Sequence, residues 1–172
     1  AGGYASAEPE RAREPLIRHV RQVYVDIQRF DPELRKEMKK AGLDEGQLQI
    51  STGRRLEEAG IKVQSEQEYA ASKDKCVLRI TIELLPPDTT GKSIYTVDGQ
   101  RVPKSGTPET VIYRSDVGLL RQVFLKEAPD VTGMAVTWSA QSLGFRRMDR
   151  IRANVMDQVD AFIAAVKVAS AD

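Results

Sequence analysis

From Cys76 to Leu85 the chain alternates: Cys76, Leu78, Ile80, Ile82 and Leu84 are apolar, and Arg79, Thr81 and Glu83 fall between them. A period of two sends successive side chains to opposite faces of an extended strand. One row is therefore committed to a core and the other to a wetter surface. A second such stretch runs from Val111 to Leu125, where Val111, Tyr113, Val117, Leu119, Val123 and Leu125 share one parity, interrupted by Ser115 and Arg121. Two long half-apolar strands need a cover. The tail of the chain can supply it: Met148, Ile151, Val155, Val159, Phe162 and Val166 recur at spacings of three and four, the signature of one apolar stripe on a long helix. Asp149, Arg152, Asn154, Asp157 and Asp160 are expected to point away from that stripe.

The remaining elements follow from local signals. Val23, Val25 and Ile27 alternate with Tyr24, Asp26 and Gln28, predicting a first strand with His19 at its entrance. Asp31-Pro32 reads as a helix start, because Asp31 can accept a first-turn amide proton and proline suits the first helical position. Gly42 can take the left-handed conformation that stops that helix. A second helix is predicted from Asp44, with Leu48, Thr52, Leu56 and Ala59 on one face and Gly60 ending it. Gly46 and Gly53 weaken it by about 1 kcal/mol each relative to alanine, so it must lean on tertiary packing. Ile61 to Tyr69 is read as an edge or strongly solvated strand. Between Pro86 and Glu109, Ile94–Val97 and Gln100–Val102 flank Asp98-Gly99, a dipeptide that favours a tight hairpin turn. That hairpin is either an arm that grips a partner or an extension of the sheet. Ala128-Pro129-Asp130 is expected to turn the chain into a last strand, with Met134, Val136 and Trp138 on one face, Trp138 as a core anchor and Gly144 closing it.

The chain has 172 residues, a size suited to one domain, with 41% hydrophobic and 30% charged residues. The 26 basic and 25 acidic side chains nearly cancel, so no bulk electrostatic pull toward nucleic acid is expected. No apolar run has the roughly 20 residues a transmembrane helix requires. One cysteine excludes an internal disulfide, and one cysteine with one histidine excludes zinc sites built from those residues. Cys76 is read as a small buried hydrophobe. Ala5-Ser6-Ala7 has the small-x-small form of a signal-peptidase site, which predicts export to the periplasm or medium.

No catalytic constellation emerges, and no cofactor or metal is expected. A Ser–His–acid triad would have to use His19, and no serine lies in a Gly-x-Ser-x-Gly elbow. No P-loop or dinucleotide fingerprint is present. The sharpest polar cluster is Arg146, Arg147, Arg150 and Arg152, at the start of the last helix, where basic groups oppose the macrodipole. Either an acidic partner, phosphate or polyanion meets them, or Asp149, Asp116 or Glu127 neutralises them. The candidate binding residues are therefore Tyr95, Asp98 and Arg101 on the hairpin, with Arg146, Arg147 and Arg150.

Gly42-Leu43-Asp44-Glu45 with Gln47-Leu48, then Arg55 to Val63, Leu119 to Val123, Thr137-Trp138-Ser139 and Val155 to Ile163 resemble segments of a family of uncharacterised bacterial exported proteins. The resemblance covers most of the chain after Leu43 and implies an envelope or secreted location without a known activity. The resulting expectation is an α+β domain: a largely antiparallel sheet with helices packed on one face and a long C-terminal helix. Residues 1–15 would form a mobile arm, residues 16–172 a single domain, and residues 93–103 a hairpin insertion. The expected function is non-enzymatic binding of a protein or envelope component. The alternative rests on element order, which resembles the helix-grip fold of START and Bet v 1-type proteins and implies a carrier of small apolar molecules. A hydrolase using His19 is a third class.

Overall fold

The computed structural model describes residues 17–85, 96–97, 100–101 and 110–171. The expected N-terminal arm, and the hairpin residues Tyr95, Asp98 and Gly99, lie outside these. Strand β1 (Gln22–Ile27) is followed by helices α1 (Pro32–Lys40) and α2 (Glu45–Glu58), strand β2 (Lys62–Val63) and the short helix α3 (Glu66–Ala71). Then come β3 (Cys76–Leu85), the two-residue strands β4 (Thr96–Val97) and β5 (Gln100–Arg101), β6 (Thr110–Leu125), β7 (Ala128–Arg147) and helix α4 (Met148–Ser170). This is the expected α+β class with its long closing helix.

The helix starts and stops obey local chemistry. Asp31 and Asp44 each accept a backbone N–H from the first turn, at 2.9 Å from Glu33 and 3.1 Å from Gln47. Gly42 and Gly60 carry φ values of +78° and +84°, where a side chain would be strained, and they end α1 and α2 as expected.

One five-stranded sheet runs in the order β2-β1-β3-β6-β7. β1 enters between β2 and β3 and is parallel to both, whereas β3–β6 and β6–β7 are antiparallel. Parallel neighbours need a crossover, and the α1–α2 pair provides the one from β1 to β2. β4 and β5 pair with each other, and among the described residues they form a separate two-stranded sheet, so the hairpin does not extend the main one.

α2 and α4 cover one face. Val23 and Val25 from β1, Leu78 and Ile80 from β3, and Tyr113, Val117 and Leu119 from β6 meet Leu48 and Leu56 of α2 and Ile151, Val155, Val159 and Phe162 of α4. α4 is also stapled to α2 by Arg152, which donates to Ser51 Oγ at 2.6 Å, and by the Arg55–Asp160 ion pair. Thr52, on the buried face of α2, has a hydroxyl with no hydrogen-bond partner among the described residues. A buried hydroxyl left unpaired costs on the order of 1–3 kcal/mol, and valine has the same branching. Thr52→Val should therefore stabilise the domain by about 1 kcal/mol, seen as a rise of roughly 2–4 °C in melting temperature. A fall would show that the hydroxyl is satisfied.

The stretch read as a strand from Ile61 to Tyr69 is corrected by the structure. Only Lys62 and Val63 pair with β1, and Ser65 then caps a helix. Its Oγ accepts from Glu68 N at 3.2 Å while the Glu68 carboxylate accepts from Ser65 N at 2.8 Å, a reciprocal capping box. α3 lies behind β1, on the face away from α2 and α4, where Tyr69 stacks on Tyr24 at 4.9 Å between ring centroids. Lys75 sits over the Tyr69 ring at 4.7 Å and donates to the last carbonyls of α3.

The bond from Lys62 Nζ, first, and that from Ser65 N hold the Glu68 carboxyl down at about 2. A carboxyl lowered on folding contributes fully above its ordinary value of 4.5, and that contribution disappears as pH falls toward 2. The protection factors of the Ser65 and Glu68 amides, exchange corrected for its intrinsic pH dependence, should fall across that acidic window, and Glu68→Gln should remove the dependence. A protection factor that stays flat across that window in the unmodified chain would contradict the assignment.

β7 also departs from expectation. The chain turns at Lys126–Glu127, so Ala128-Pro129-Asp130 already belongs to the strand, and the strand runs past Gly144 to Arg147. A register shift sets Trp138 opposite Leu119 but Val136 opposite Leu120, leaving Thr137 as an extra residue that bonds back to Leu119 O at 3.3 Å. Such a bulge reverses the parity of everything before it. Trp138 reaches the core, 5.3 Å from the Phe162 ring, while Val136 and Met134 turn to the opposite face and are exposed.

Candidate functional site

The expected binding residues are dispersed or outside the described part. Tyr95 and Asp98 lie outside it, and Arg101 is placed by its backbone on β5, opposite Thr96. Arg146 and Arg147 end β7 and Arg150 lies in the first turn of α4, all three exposed. Arg147 offers Nε and Nη2 to the two oxygens of Asp149, at 3.2 and 3.4 Å, so the neutralising reading holds for this arginine. Arg152 is occupied in joining α4 to α2. Arg146 and Arg150 form no ion pair with a described residue.

A cleft of about 320 Å³ opens at the start of β1 and β3, lined by His19, Arg21, Asp74, Cys76 and Arg121 among others. His19 adopts a φ of 65°, in the left-handed region that a histidine visits occasionally. Arg121 reaches Asp74 at 3.5 Å. Burial pushes the Cys76 thiol up to about 11, which keeps it protonated and a poor nucleophile near neutral pH. No described residue hydrogen-bonds the His19 ring. Among the described residues no three His, Cys, Asp or Glu side chains converge as a metal site.

The apolar surface is concentrated elsewhere, at a place sequence reasoning assigned to the core. β3 begins at Cys76, opposite Arg121, and beyond it only Gln122 N bonding to Lys75 O at 3.0 Å continues the ladder on that side. The distal ends of β6 and β7 therefore project past the sheet as a bare hairpin. Nine large apolar side chains are exposed among the described residues, and six of them lie here: Val123, Phe124, Leu125, Val131, Met134 and Val136. Phe124 is 70% exposed. The expectation that Val123 and Leu125 continue the buried row of β6 is corrected: the alternation persists, but the layer it would face has ended. Lys126, Glu127 and Asp130 make the only charges of this projecting part, a mixed set with no strong sign. Scattered apolar residues on a surface mean little; here Val123 and Leu125 continue the α4-side row while Phe124, Met134 and Val136 lie on the other face, so the projecting hairpin is apolar on both sides.

No described helix is long and apolar enough to cross a membrane. No family model matches the chain, and no curated protein matches it. Among solved structures it is similar to a minor lipoprotein from Acinetobacter baumannii, at 13% identity over 87% of this chain and 85% of that one, with a TM-score of 0.24. A likeness at that score carries no argument about function.

Proposed function

We propose that the chain is a non-enzymatic, exported binding domain that engages a protein or envelope component through the projecting part of β6 and β7. The observation that carries the reading is the clustering of Phe124, Leu125, Val131, Met134 and Val136 in water on a hairpin that contributes nothing to the core. The arginines Arg146 and Arg150 supply a polar margin at the far end of the same strand. Hairpin residues Tyr95, Asp98 and Arg101 remain part of the proposal as a second contact element.

A surface contact is preferred to an internal carrier because of what lies between sheet and α4. Leu78, Ile80, Val117, Leu119, Ile151, Val155, Val159 and Phe162 are all 0% exposed. A hollow large enough for water would leave accessible area on its lining, and a ligand cavity would need about 300 Å³ or more. The test is a photo-crosslinking residue at position 124, with position 50 as control, since Ile50 is also exposed but stands alone on α2. Adducts in intact bacteria at 124 and not at 50 are expected. Their absence at 124 would end the proposal.

A further inference from the structure

The reading above leaves the partner open, and β7 narrows it. Among the described residues this strand of 20 is hydrogen-bonded on one side only, to β6, whereas the opposite edge of the sheet, β2, is two residues long. A long free edge offers its unpaired N–H and C=O groups to another strand. Proteins that must stay apart blunt such edges with lysine, proline or inward charges. β7 does the reverse. From Val131 to Phe145 it has 15 residues without a charge or a proline, in a chain that is 30% charged. Within this run, and among the described residues, its one interruption is the bulge at Thr137, near the middle.

The charges bracket this neutral run. Asp130 stands at one end, and Arg146 and Arg147 at the other. A second β7 added in parallel would set aspartate beside aspartate and arginine beside arginine. Added antiparallel, about a two-fold axis near Trp138, it brings Asp130 of each copy to the arginine end of the other. The apolar side chains match as well. Val136, Met134 and Leu143 lie opposite Leu120, Gln122 and Arg114 of β6, so all three point to the face away from α4. Leu143 is 69% exposed and far along the strand from the projecting hairpin. In the antiparallel arrangement Met134 and Val136 of one copy run alongside Leu143 of the other. The bulge falls at the axis, where it interrupts the new ladder once, at its centre.

We propose that β7 is a homodimer edge, pairing antiparallel with β7 of a second copy and joining the two five-stranded sheets into one. This deepens the binding reading and rests on it, naming the partner as the chain itself. The contact is isologous, as closed two-fold dimers require.

Sedimentation of the full chain across the micromolar range tests it. The expected mass is twice the 19.1 kDa of one chain. Leu143→Lys, a charge on the edge at an exposed position, should return the mass to that of one chain while keeping the folded circular-dichroism spectrum, with a melting temperature that no longer depends on protein concentration, and Ile50→Lys should stay dimeric. Asp130→Lys should weaken the dimer, and adding Arg146→Asp with Arg147→Asp should restore it. An unmodified chain that sediments as a monomer throughout, or a Leu143→Lys variant that stays dimeric, overturns the proposal. If the chain is monomeric but position 124 still crosslinks to a protein of another mass, the binding reading survives and the self-pairing fails. If position 124 yields no adduct either, both fail.

Discussion

Phe162→Ala should lower the stability of the domain by about 3–5 kcal/mol, the cost of removing a large buried ring and leaving a cavity behind. The ring is fully buried at the seam between α4 and the sheet, tilted against Trp138, with Val159 and Val166 one turn to either side. Neither layer can collapse into the gap easily. Trp138 is fixed by its place beside the bulge, and α4 is held to α2 by Arg152 and Arg55. For a domain of this size each kcal/mol moves the melting temperature by roughly 2–4 °C, so a drop of about 6–20 °C is expected. Ile50→Ala, at an exposed apolar position, should stay within about 0.5 kcal/mol of the unmodified chain. A Phe162→Ala melting curve that overlays the parent would mean that α4 does not seal the sheet.

The second large effect comes from a polar group inside that seam. Gln158 is buried on the sheet-facing side of α4, where Ser115 Oγ approaches its Oε1 at 3.0 Å. Its amide N–H groups point at Ser115 O, 3.5 Å away, and Ala140 O, 3.3 Å away, one carbonyl on each of β6 and β7. Asn154 Oδ1 joins the cluster 3.2 Å from Ser115 Oγ. Gln158→Leu keeps the bulk and deletes the bonds, leaving a buried hydroxyl and carbonyl short of partners, at a cost of about 1–3 kcal/mol. Ser115→Ala with Gln158→Leu should cost less than the two single changes together, because the second removes a group the first has already orphaned. Denaturant midpoints for the four proteins measure this. Strict additivity would show that the two side chains do not interact.

Gln158 also shows where reading the chain as text stops. It falls three residues after Val155 and four before Phe162, squarely on the apolar stripe, and Ser115 falls on the apolar parity of β6. Each looks like an interruption until the two are seen to face each other. Asn154, expected to point away, turns toward the sheet for the same reason. The caps at Asp31 and Asp44, the glycine stops, β1, β3 and the α4 stripe were legible because their causes lie within a few residues of each other. α3 was legible too, in Ser65-x-x-Glu68, but the alternation of Ile61 and Val63 was carried across it.

Three features had no local signal. The bulge at Thr137 depends on how β7 meets β6. The exposure of Val123 and Leu125 depends on where β3 begins, since they repeat the pattern of Val117 and Leu119 without the layer above. The parallel entry of β1 between β2 and β3 joins Tyr24 to Val77 across the chain and leaves no trace in either segment. At the candidate site the arginine cluster was visible, but its division was not: Arg147 turns to Asp149, Arg152 to Ser51, and Arg146 is left at the end of the longest edge.

The sealed thiol of Cys76 has a last consequence. In oxidising surroundings a lone accessible sulfhydryl would join twin molecules through a reducible disulfide or trap a stray thiol. Here Cys76, although it lines the cleft beside His19, is only 2% exposed and keeps its proton, which disfavours a covalent staple between two copies of the chain. Any assembly they make through an edge must come apart on dilution, and reducing agents should leave it untouched.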